Sequence, residues 1–151
     1  MTESAPSFLP DGRTRLLGIV GDPIGHSLSP RLHTAVLRRL GRNFVYVPFP
    51  VPEPRLEQFV LNASSFGVAG FNVTTPYKER VACWVRPLDA ETERTGMVNT
   101  VRCGGVAEGY STDGAGILSF LRAAGLGGQP FGVLGFGATA RSLAARALAD
   151  G

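Results

Sequence analysis

Short apolar runs recur along the chain and predict β-strands. The first, "RLLGIVGDP" (15–23), is stopped by Gly21 and Pro23, which is typical of a buried strand that leads into a loop. The runs 97–102 and 106–110 flank the pair Gly104-Gly105, which predicts a hairpin. The remaining predicted strands are 43–49, with Pro48 marking its end, 68–73, 97–102 and 106–110.

Residues at helical spacing separate these runs and predict α-helices. In "LSPRLHTAVLRRLG" (28–41), Ser29 is a suitable N-cap, Pro30 suits the first helical position and Gly41 closes the end. The apolar residues that share one face of this helix are Leu32, Val36 and Leu40. The other predicted helices are 54–65, with Leu56, Phe59, Val60 and Ala63 on one stripe, 76–84, 90–95, 115–125 and the segment after 135–140.

Strands that alternate with helices indicate an α/β fold with an open, mostly parallel sheet. We divide the chain into a polar N-terminal tail (1–14), a first unit that holds the sheet (15–113), a connector helix (114–129) and a second unit (130–151). The second unit reads as a strand, a glycine turn and a helix, which is the first βα unit of a Rossmann-type dinucleotide-binding domain.

Composition narrows the class of protein. The 151 residues are 44% apolar and 18% charged, and the net charge of +3 is mild. Because the arginines are scattered, with Arg38, Arg39 and Arg42 the densest group, we expect no nucleic-acid partner. Cys83 and Cys103 have neither a disulfide pattern nor a metal-ligand spacing, so we expect no metal. The polar start and the absence of a membrane-length apolar run predict a cytoplasmic protein without a membrane partner.

The glycine turn "GFGATA" (135–140) has the G-x-G-x-x-A pattern, follows an apolar run and precedes a helix. Gly135 permits a tight turn, Gly137 lets the backbone approach a pyrophosphate, and Ala140 allows close packing of the helix. The alternative is a turn between strand and helix that binds no ligand. The charged residue that would confirm a dinucleotide site is expected about 20 residues further on, beyond Gly151.

Two serines stand at the predicted helix start in "GHSLSP" (25–30). Hydroxyls beside the free N–H groups of a helix make a suitable seat for a carboxylate, so Ser27 and Ser29 are candidate ligands. A simple cap and turn is the alternative. His26 and His33 have no partner spacing for a metal or a catalytic triad, and we interpret both as structural.

The stretch "FNVTTPYKER" (71–80) contains Lys78, the only lysine among the 15 basic residues. Asn72, Thr74 and Lys78 fall where a strand ends, which is the edge where open α/β sheets bind ligands. Lysine, unlike arginine, can give up and regain a proton, so proton transfer to a forming alkoxide would explain this lysine. The alternative is a solvated lysine in the first turn of a helix.

Asp113 in "STDG" and Asn99 in "MVNT" are the other polar residues at element ends. Asp113 precedes the connector helix, and its carboxylate could pair with Lys78. It could equally be the N-cap of a helix over 114–124.

Five stretches together resemble the shikimate dehydrogenase family, and the resemblance extends from Leu16 onward. Any one of them would be weak evidence, whereas five in this order and at these spacings are highly specific. They are "GDPIGHSLSPRLH", "GFNVTTPYKE", "GMVNT", "STDG" and "VLGFGATAR".

The resemblance implies an enzyme that reduces 3-dehydroshikimate to shikimate with NADPH, on the route to chorismate and the aromatic amino acids. It implies that Ser27 and Ser29 hold the substrate carboxylate. Lys78 and Asp113 correspond to the catalytic pair, with the lysine as acid in reduction and base in oxidation. The further substrate ligands implied are Asn72, Thr74 and Asn99, and the turn implied to hold the phosphates of NADP is Gly135, Phe136, Gly137, Ala138 and Thr139.

Three positions depart from the family pattern. Ser111 stands where asparagine is usual, Thr75 where an aliphatic residue is common, and Ala138 where glycine is frequent. Because the first two border the expected substrate site, a quinate/shikimate or an aminoshikimate dehydrogenase stays open, and so does a non-catalytic module that binds a hydroxy acid. The paired serines and "STDG" disfavour a folate-type dehydrogenase.

The resemblance stops at the first helix of the nucleotide-binding unit. One strand and one helix cannot bury the faces of a sheet, so we expect a fragment that binds NADP(H) poorly and is nearly inactive alone. The expected partner is a small-molecule substrate, and a homodimer is left open.

Overall fold

A computed structural model describes residues 9–150 and contains one six-stranded sheet. The strands are β1 (Arg15–Gly21), β2 (Phe44–Pro50), β3 (Val68–Val73), β4 (Arg86–Pro87), β5 (Thr100–Arg102) and β6 (Glu108–Tyr110). Their order across the sheet is β2-β1-β3-β5-β6-β4. β1 pairs in parallel with β2 and β3, and β4 with β6, whereas β5 is antiparallel to both β3 and β6. The prediction of an α/β fold with an open, mostly parallel sheet is confirmed.

Residues 9–150 also form six α-helices, and none of them is long and apolar enough to cross a membrane. They are α1 (Ser29–Arg39), α2 (Leu56–Asn62), α3 (Lys78–Ala82), α4 (Ala90–Thr95), α5 (Asp113–Ala123) and α6 (Ala138–Asp150). Of the predicted tail 1–14, residues 1–8 lie outside the described part, while Asp11 and Thr14 hydrogen-bond the side chain of Asn43.

The second strand continues past the point where the sequence predicts its end. Pro48 and Pro50 both lie within β2, and Pro48 pairs with Ile19 of β1. A proline has no N–H to donate to a neighbouring strand, but β2 is the edge strand, and edge strands tolerate proline.

The α1 helix turns a different face to the sheet from the one its apolar residues mark. His33 stacks on Tyr46 with ring centroids 4.4 Å apart. Leu37 packs against the small buried cluster formed by Ile19, Ile24 and Tyr46. Neighbouring positions on a helix differ by about 100°, so the residues that precede His33 and Leu37 point elsewhere. The three residues of the predicted apolar face are therefore all exposed: Leu32, Val36 and Leu40.

The main core lies between the opposite face of the sheet and the helices α2 and α3. The predicted stripe of α2 is confirmed, because Leu56, Val60 and Ala63 are buried and Phe59 packs against the same core. The sheet and α3 contribute Val20, Phe71, Val73, Val101 and Val81.

The third helix begins later than predicted. The Tyr77 N–H donates to the Thr74 carbonyl at 3.0 Å, so Pro76 lies in a turn and α3 starts at Lys78. The predicted hairpin around Gly104-Gly105 is confirmed by the antiparallel pairing of β5 with β6.

In the second unit the helix forms but the predicted strand does not. The segment from Pro130 to Gly137 has no regular secondary structure, and Phe131, Val133 and Leu134 are exposed. Isolated strands are not stable, and within residues 9–150 no other strand pairs with this segment. The prediction of a complete βα unit is therefore wrong for its strand, and α6 packs on α5 and α4 instead.

Burial on α2 can be tested with two leucines of the same helix. Leu56→Ala removes a fully buried side chain and is expected to lower the free energy of unfolding by about 2–5 kcal/mol. Leu61→Ala, whose side chain is 56% exposed, should change it by less than about 0.5 kcal/mol. Urea unfolding followed by circular dichroism measures both. Equal effects would contradict the assignment of the core face.

Candidate active site

The starts of α3 and α5 bring a lysine and an aspartate together. Lys78 and Asp113 are the first residues of these helices, and Lys78 Nζ lies 2.6 Å from Asp113 Oδ2. Their side chains are only 11% and 23% exposed. The Val98 N–H donates to the Lys78 carbonyl at 3.0 Å and ties the start of α3 to the chain before β5. The pair suggested by the sequence is thus a short, charge-assisted hydrogen bond.

Asn99 holds the other oxygen of the same carboxylate. Its Nδ2 donates to Asp113 Oδ1 at 2.6 Å, and its own Oδ1 accepts from the Thr112 N–H at 3.1 Å. One oxygen of Asp113 therefore faces Asn99 and the other faces Lys78. Because α5 begins at Asp113 itself and the carboxylate is engaged in this way, the alternative of an Asp113 N-cap is not observed.

A line of hydrogen bonds continues from Asn99 across the sheet. Thr100 Oγ1 donates to Asn99 Oδ1 at 3.0 Å and accepts from Asn72 Nδ2, also at 3.0 Å. The Tyr46 hydroxyl then donates to Asn72 Oδ1 at 2.7 Å. Burial raises the pKa of the Tyr46 phenol, and it lowers the pKa of His33, which stacks on that ring. Asn72 is thus oriented from both ends of its amide.

The network includes three residues that the sequence pattern does not mark as site residues: Tyr46, Thr100 and Thr112. For Tyr46 a signal existed, because a tyrosine in an apolar strand needs a partner for its hydroxyl when it is buried. The two threonines lie directly beside Asn99 and Asp113, and only the three-dimensional arrangement shows that they contact these residues.

Thr74 lies where β3 ends, against the end of β1. Its N–H donates to the Val20 carbonyl at 3.1 Å. A Cβ atom at Gly21 would lie 2.8 Å from Thr74 Cγ2, which is closer than side chains tolerate. Gly21 therefore gives Thr74 the space for its position at the edge of the sheet.

The two serines follow β1 at the same edge. The Ser27 N–H donates to the Ile24 carbonyl at 3.0 Å, and the Ser29 N–H donates to Ser27 Oγ at 3.2 Å. Ser29 is the first residue of α1 and Leu28 occupies the cap position, so the prediction of Ser29 as N-cap is wrong. Because Ser27 Oγ accepts this bond, its hydroxyl proton is the donor that it can offer to a ligand.

The glycine turn precedes α6, as the sequence predicts. Gly135 has a φ of +105°, a conformation that favours glycine. Apart from its neighbours along the chain, no described residue has an atom within 4 Å of the Cβ that Gly137 would carry, so tertiary packing does not require glycine there. Close approach of a phosphate to the backbone would require it. The Gly137 carbonyl accepts from the Arg141 N–H at 3.0 Å, so α6 starts at this turn, where helix N–H groups favour anions. Phe136 and Thr139, which belong to the same turn, are exposed.

Residues 19–101 match the family model of the shikimate dehydrogenase substrate binding domain. The chain belongs to the shikimate dehydrogenase family. It is 46% identical over 139 residues to a shikimate dehydrogenase (NADP(+)) from Geobacter sp. (strain M21), covering 89% of this chain and 48% of that relative. The chain spans about half the length of the curated relatives it matches.

Solved shikimate dehydrogenases have the same fold. The enzyme of Thermus thermophilus in complex with NADP(H) and shikimate is similar with a TM-score of 0.82 at 31% identity, over 91% of this chain and 53% of that one. The enzyme of Listeria monocytogenes in complex with shikimate and NAD is similar with a TM-score of 0.83 at 31% identity, over 94% and 50%.

The side chain of Ser111, one of the departures from the shikimate dehydrogenase pattern, contacts α4 and α6. Ser111 Oγ donates to Glu91 Oε1 at 2.7 Å and lies 3.0 Å from Ser142 Oγ, so the side chain is turned toward α4 and α6. The adjacent Thr112 hydrogen-bonds Asn99, and the expectation that Ser111 borders the substrate site stays a prediction. Thr75 is exposed in the turn before α3.

The energetic coupling of Lys78 and Asp113 can be measured with a double-mutant cycle. Removing one charge leaves the other poorly solvated, so Lys78→Met and Asp113→Leu together should cost less than the sum of the single variants. We expect a coupling energy above about 1 kcal/mol in urea unfolding.

The matched control is the surface pair Arg80–Glu53, whose side chains are 53% and 58% exposed. The double-mutant cycle of this surface pair should give a coupling energy of about 0.2–1 kcal/mol. Additive effects at Lys78 and Asp113 would contradict a tightly held pair.

Proposed function

We propose that this chain is the substrate-binding part of a shikimate dehydrogenase that reduces 3-dehydroshikimate reversibly to shikimate with NADPH. The observation that carries this proposal is the contact of Lys78 with Asp113 at the sheet edge where Thr74 and the two serines lie. The names of the curated relatives support NADP as cofactor, and the shikimate in the Thermus thermophilus structure supports the substrate.

In this proposal the predicted segments have separate roles. Residues 15–113 bind the substrate and carry out proton transfer, residues 114–129 connect, and residues 130–151 begin the NADP-binding domain. A small-molecule substrate and a cytoplasmic location follow from the same proposal. A homodimer stays a prediction, which sedimentation velocity tests.

The substrate carboxylate is bound by uncharged donors. Ser27 and Ser29 stand at the start of α1, a helix of 11 residues whose free N–H groups favour an anion. The ring hydroxyls are read by Thr74, Lys78, Asn99 and Asp113, with Asn72 beside them.

Lys78 moves the proton. Its ammonium has three donors, of which Asp113 Oδ2 takes one, and a second can point at the substrate oxygen. As the ketone is reduced, the ammonium gives its proton to the forming alkoxide, and in oxidation the neutral amine removes the hydroxyl proton. Asp113, with Oδ1 fixed by Asn99, orients the lysine for both directions.

NADP(H), when bound, supplies or accepts the hydride. The residues that would hold its phosphates are Gly135, Phe136, Gly137, Ala138 and Thr139, at the N-terminus of α6.

The role of Lys78 can be tested by Lys78→Arg, which keeps the charge but cannot transfer a proton in this way. We expect kcat of the complete gene product to fall about 10²-fold or more. The shikimate dissociation constant, measured by calorimetry on the 151-residue chain, should change less than about tenfold.

Arg80→Lys, the reverse exchange at an exposed position two residues away, is the control and should leave kcat unchanged. A fully active Lys78→Arg variant would show that the position needs only a cation. Shikimate binding without turnover in the complete wild-type protein would instead favour a non-catalytic module, and preference for quinate or aminoshikimate would identify a relative of different specificity.

The cofactor turn can be tested by Gly137→Ala. A methyl group there meets no atom of the described residues other than its neighbours along the chain, so the free energy of unfolding should not decrease. It would stand between the backbone and a bound pyrophosphate, and we expect NADP(H) affinity of the complete gene product to fall about tenfold or more in fluorescence titration. A Cβ at Gly132 has as much free space, so Gly132→Ala is the control and should bind NADP(H) with the wild-type affinity. Unchanged affinity in Gly137→Ala would argue against this turn as the phosphate site.

A further inference from the structure

A buried polar cluster outside the candidate active site joins α4, α5 and α6. Its members are Glu91, Ser111 and Ser142, which are 6%, 6% and 0% exposed. Ser111 Oγ donates to Glu91 Oε1 at 2.7 Å and lies 3.0 Å from Ser142 Oγ. Burying a carboxylate and two hydroxyls carries a desolvation cost, so this cluster calls for a physical reason.

The first reason lies in the backbone on both sides of Asp113. Glu91 Oε1 also accepts from the Gly114 N–H at 3.2 Å, and Asp89 Oδ2 accepts from the Ser111 N–H at 2.8 Å. Two carboxylates of the α4 region therefore hold the backbone two residues before Asp113 and one residue after it. Both hydrogen bonds constrain the backbone near Asp113, whose carboxylate contacts Lys78.

The second reason lies in the contact with α6. A Cβ at Gly114 would be 2.4 Å from the Ser142 carbonyl oxygen, so α6 rests against the backbone immediately after Asp113. Arg141, the residue before Ser142, forms an ion pair with Glu79, the residue after Lys78. Two adjacent residues of α6 thus contact the sequence neighbours of both members of the Lys78–Asp113 pair.

We propose that Glu91 is a positioning residue for Asp113, and that Ser111 and Ser142 couple this position to α6, the helix that starts at the glycine turn. The proposal rests on the proposed function for the roles of Lys78 and Asp113. A shift of α6 changes the contact of Ser142 with Ser111, and through Glu91 and Gly114 it changes the direction of the Asp113 carboxylate.

Ser111 and Ser142 form a matched pair of small residues. Asparagine, the usual family residue at position 111, is longer than serine and would extend into the 3.0 Å space between the two hydroxyls. In this chain Ser111→Asn should therefore lower kcat, unless the side chain at position 142 is also made smaller.

The first test replaces Glu91 in the complete gene product. Glu91→Ala removes the acceptor for Ser111 and Gly114 and is expected to lower kcat about 10²-fold, with KM for shikimate changed less than about threefold. Glu91→Gln keeps one acceptor oxygen and should retain kcat within about threefold. Glu93 is exposed on the same helix, so Glu93→Ala is the control and should keep the kcat and KM of the wild type.

Wild-type kcat in a folded Glu91→Ala variant would overturn the proposal. If Glu91→Ala does not fold, Glu91→Gln decides, since a folded Gln variant that has lost about 10²-fold in kcat would contradict positioning through the acceptor oxygen.

The second test concerns the coupling to α6. Ser111→Asn is expected to lower kcat about tenfold, and the double variant Ser111→Asn/Ser142→Ala should recover to within about threefold of the wild type. Normal activity of Ser111→Asn alone, or a larger loss in the double variant, would overturn the coupling.

A measurement without turnover separates this proposal from the proposed function. Amide hydrogen exchange at Gly114 of the 151-residue chain should be faster in Glu91→Ala and unchanged in Glu93→Ala. If the wild-type protein turns over no 3-dehydroshikimate, the proposed function fails. The rate of amide exchange at Gly114 still tests whether Glu91 holds the backbone beside Asp113. Unchanged exchange in Glu91→Ala would overturn the positioning whatever the activity.

Discussion

Two opposite charges held 2.6 Å apart and mostly out of water impose a condition on everything around them. Such a pair is stable only if the remaining polar atoms of both side chains, and the backbone that carries them, are also satisfied. Asn99 meets this condition at Asp113 Oδ1, and the Val98 N–H fixes the start of the helix that carries Lys78. The polar network that extends to Tyr46 follows from the same need, since each amide in it is oriented by the next hydroxyl.

The topology of the sheet explains how residues so far apart in sequence meet. β1 and β3 are parallel neighbours, so the loops at their carboxyl ends, with Ser27 and Thr74, open at one edge. β5 runs antiparallel to β3, so Asn99, just before β5, lies at that edge, and β6 runs back toward the same edge and leads to Asp113. Lys78 and Asp113 therefore lie at the starts of α3 and α5, each a short distance in sequence after a strand of the sheet.

Features that depend on local periodicity could be predicted from the sequence. The buried stripe of α2 and the hairpin at Gly104-Gly105 are examples, because each needs only its own residues and one adjacent surface. The order of motifs likewise identified the family and the pairing of Lys78 with Asp113.

Features that depend on a distant partner could not be predicted in this way. The inner face of α1 is decided by the stacking of His33 on Tyr46, a residue of the edge strand, while the stronger apolar pattern of the helix stays exposed. The environment of Ser111 depends on α4 and α6, which approach it from both sides in sequence. The apolar run at 131–134 has strand character, but a strand needs a neighbour, and within residues 9–150 it has none.

The prolines of β2 have a consequence for association between molecules. Exposed sheet edges invite strands of other chains to pair with them, and this is a common route to aggregation. Pro48 and Pro50 lie two residues apart on the edge strand, so their missing N–H groups leave gaps on the same side of it. The strand at the other edge of this sheet, β4, is only two residues long and includes Pro87. Pro87 likewise removes a donor from the second edge, so the prolines at both edges of the described sheet disfavour strand pairing between copies of this chain.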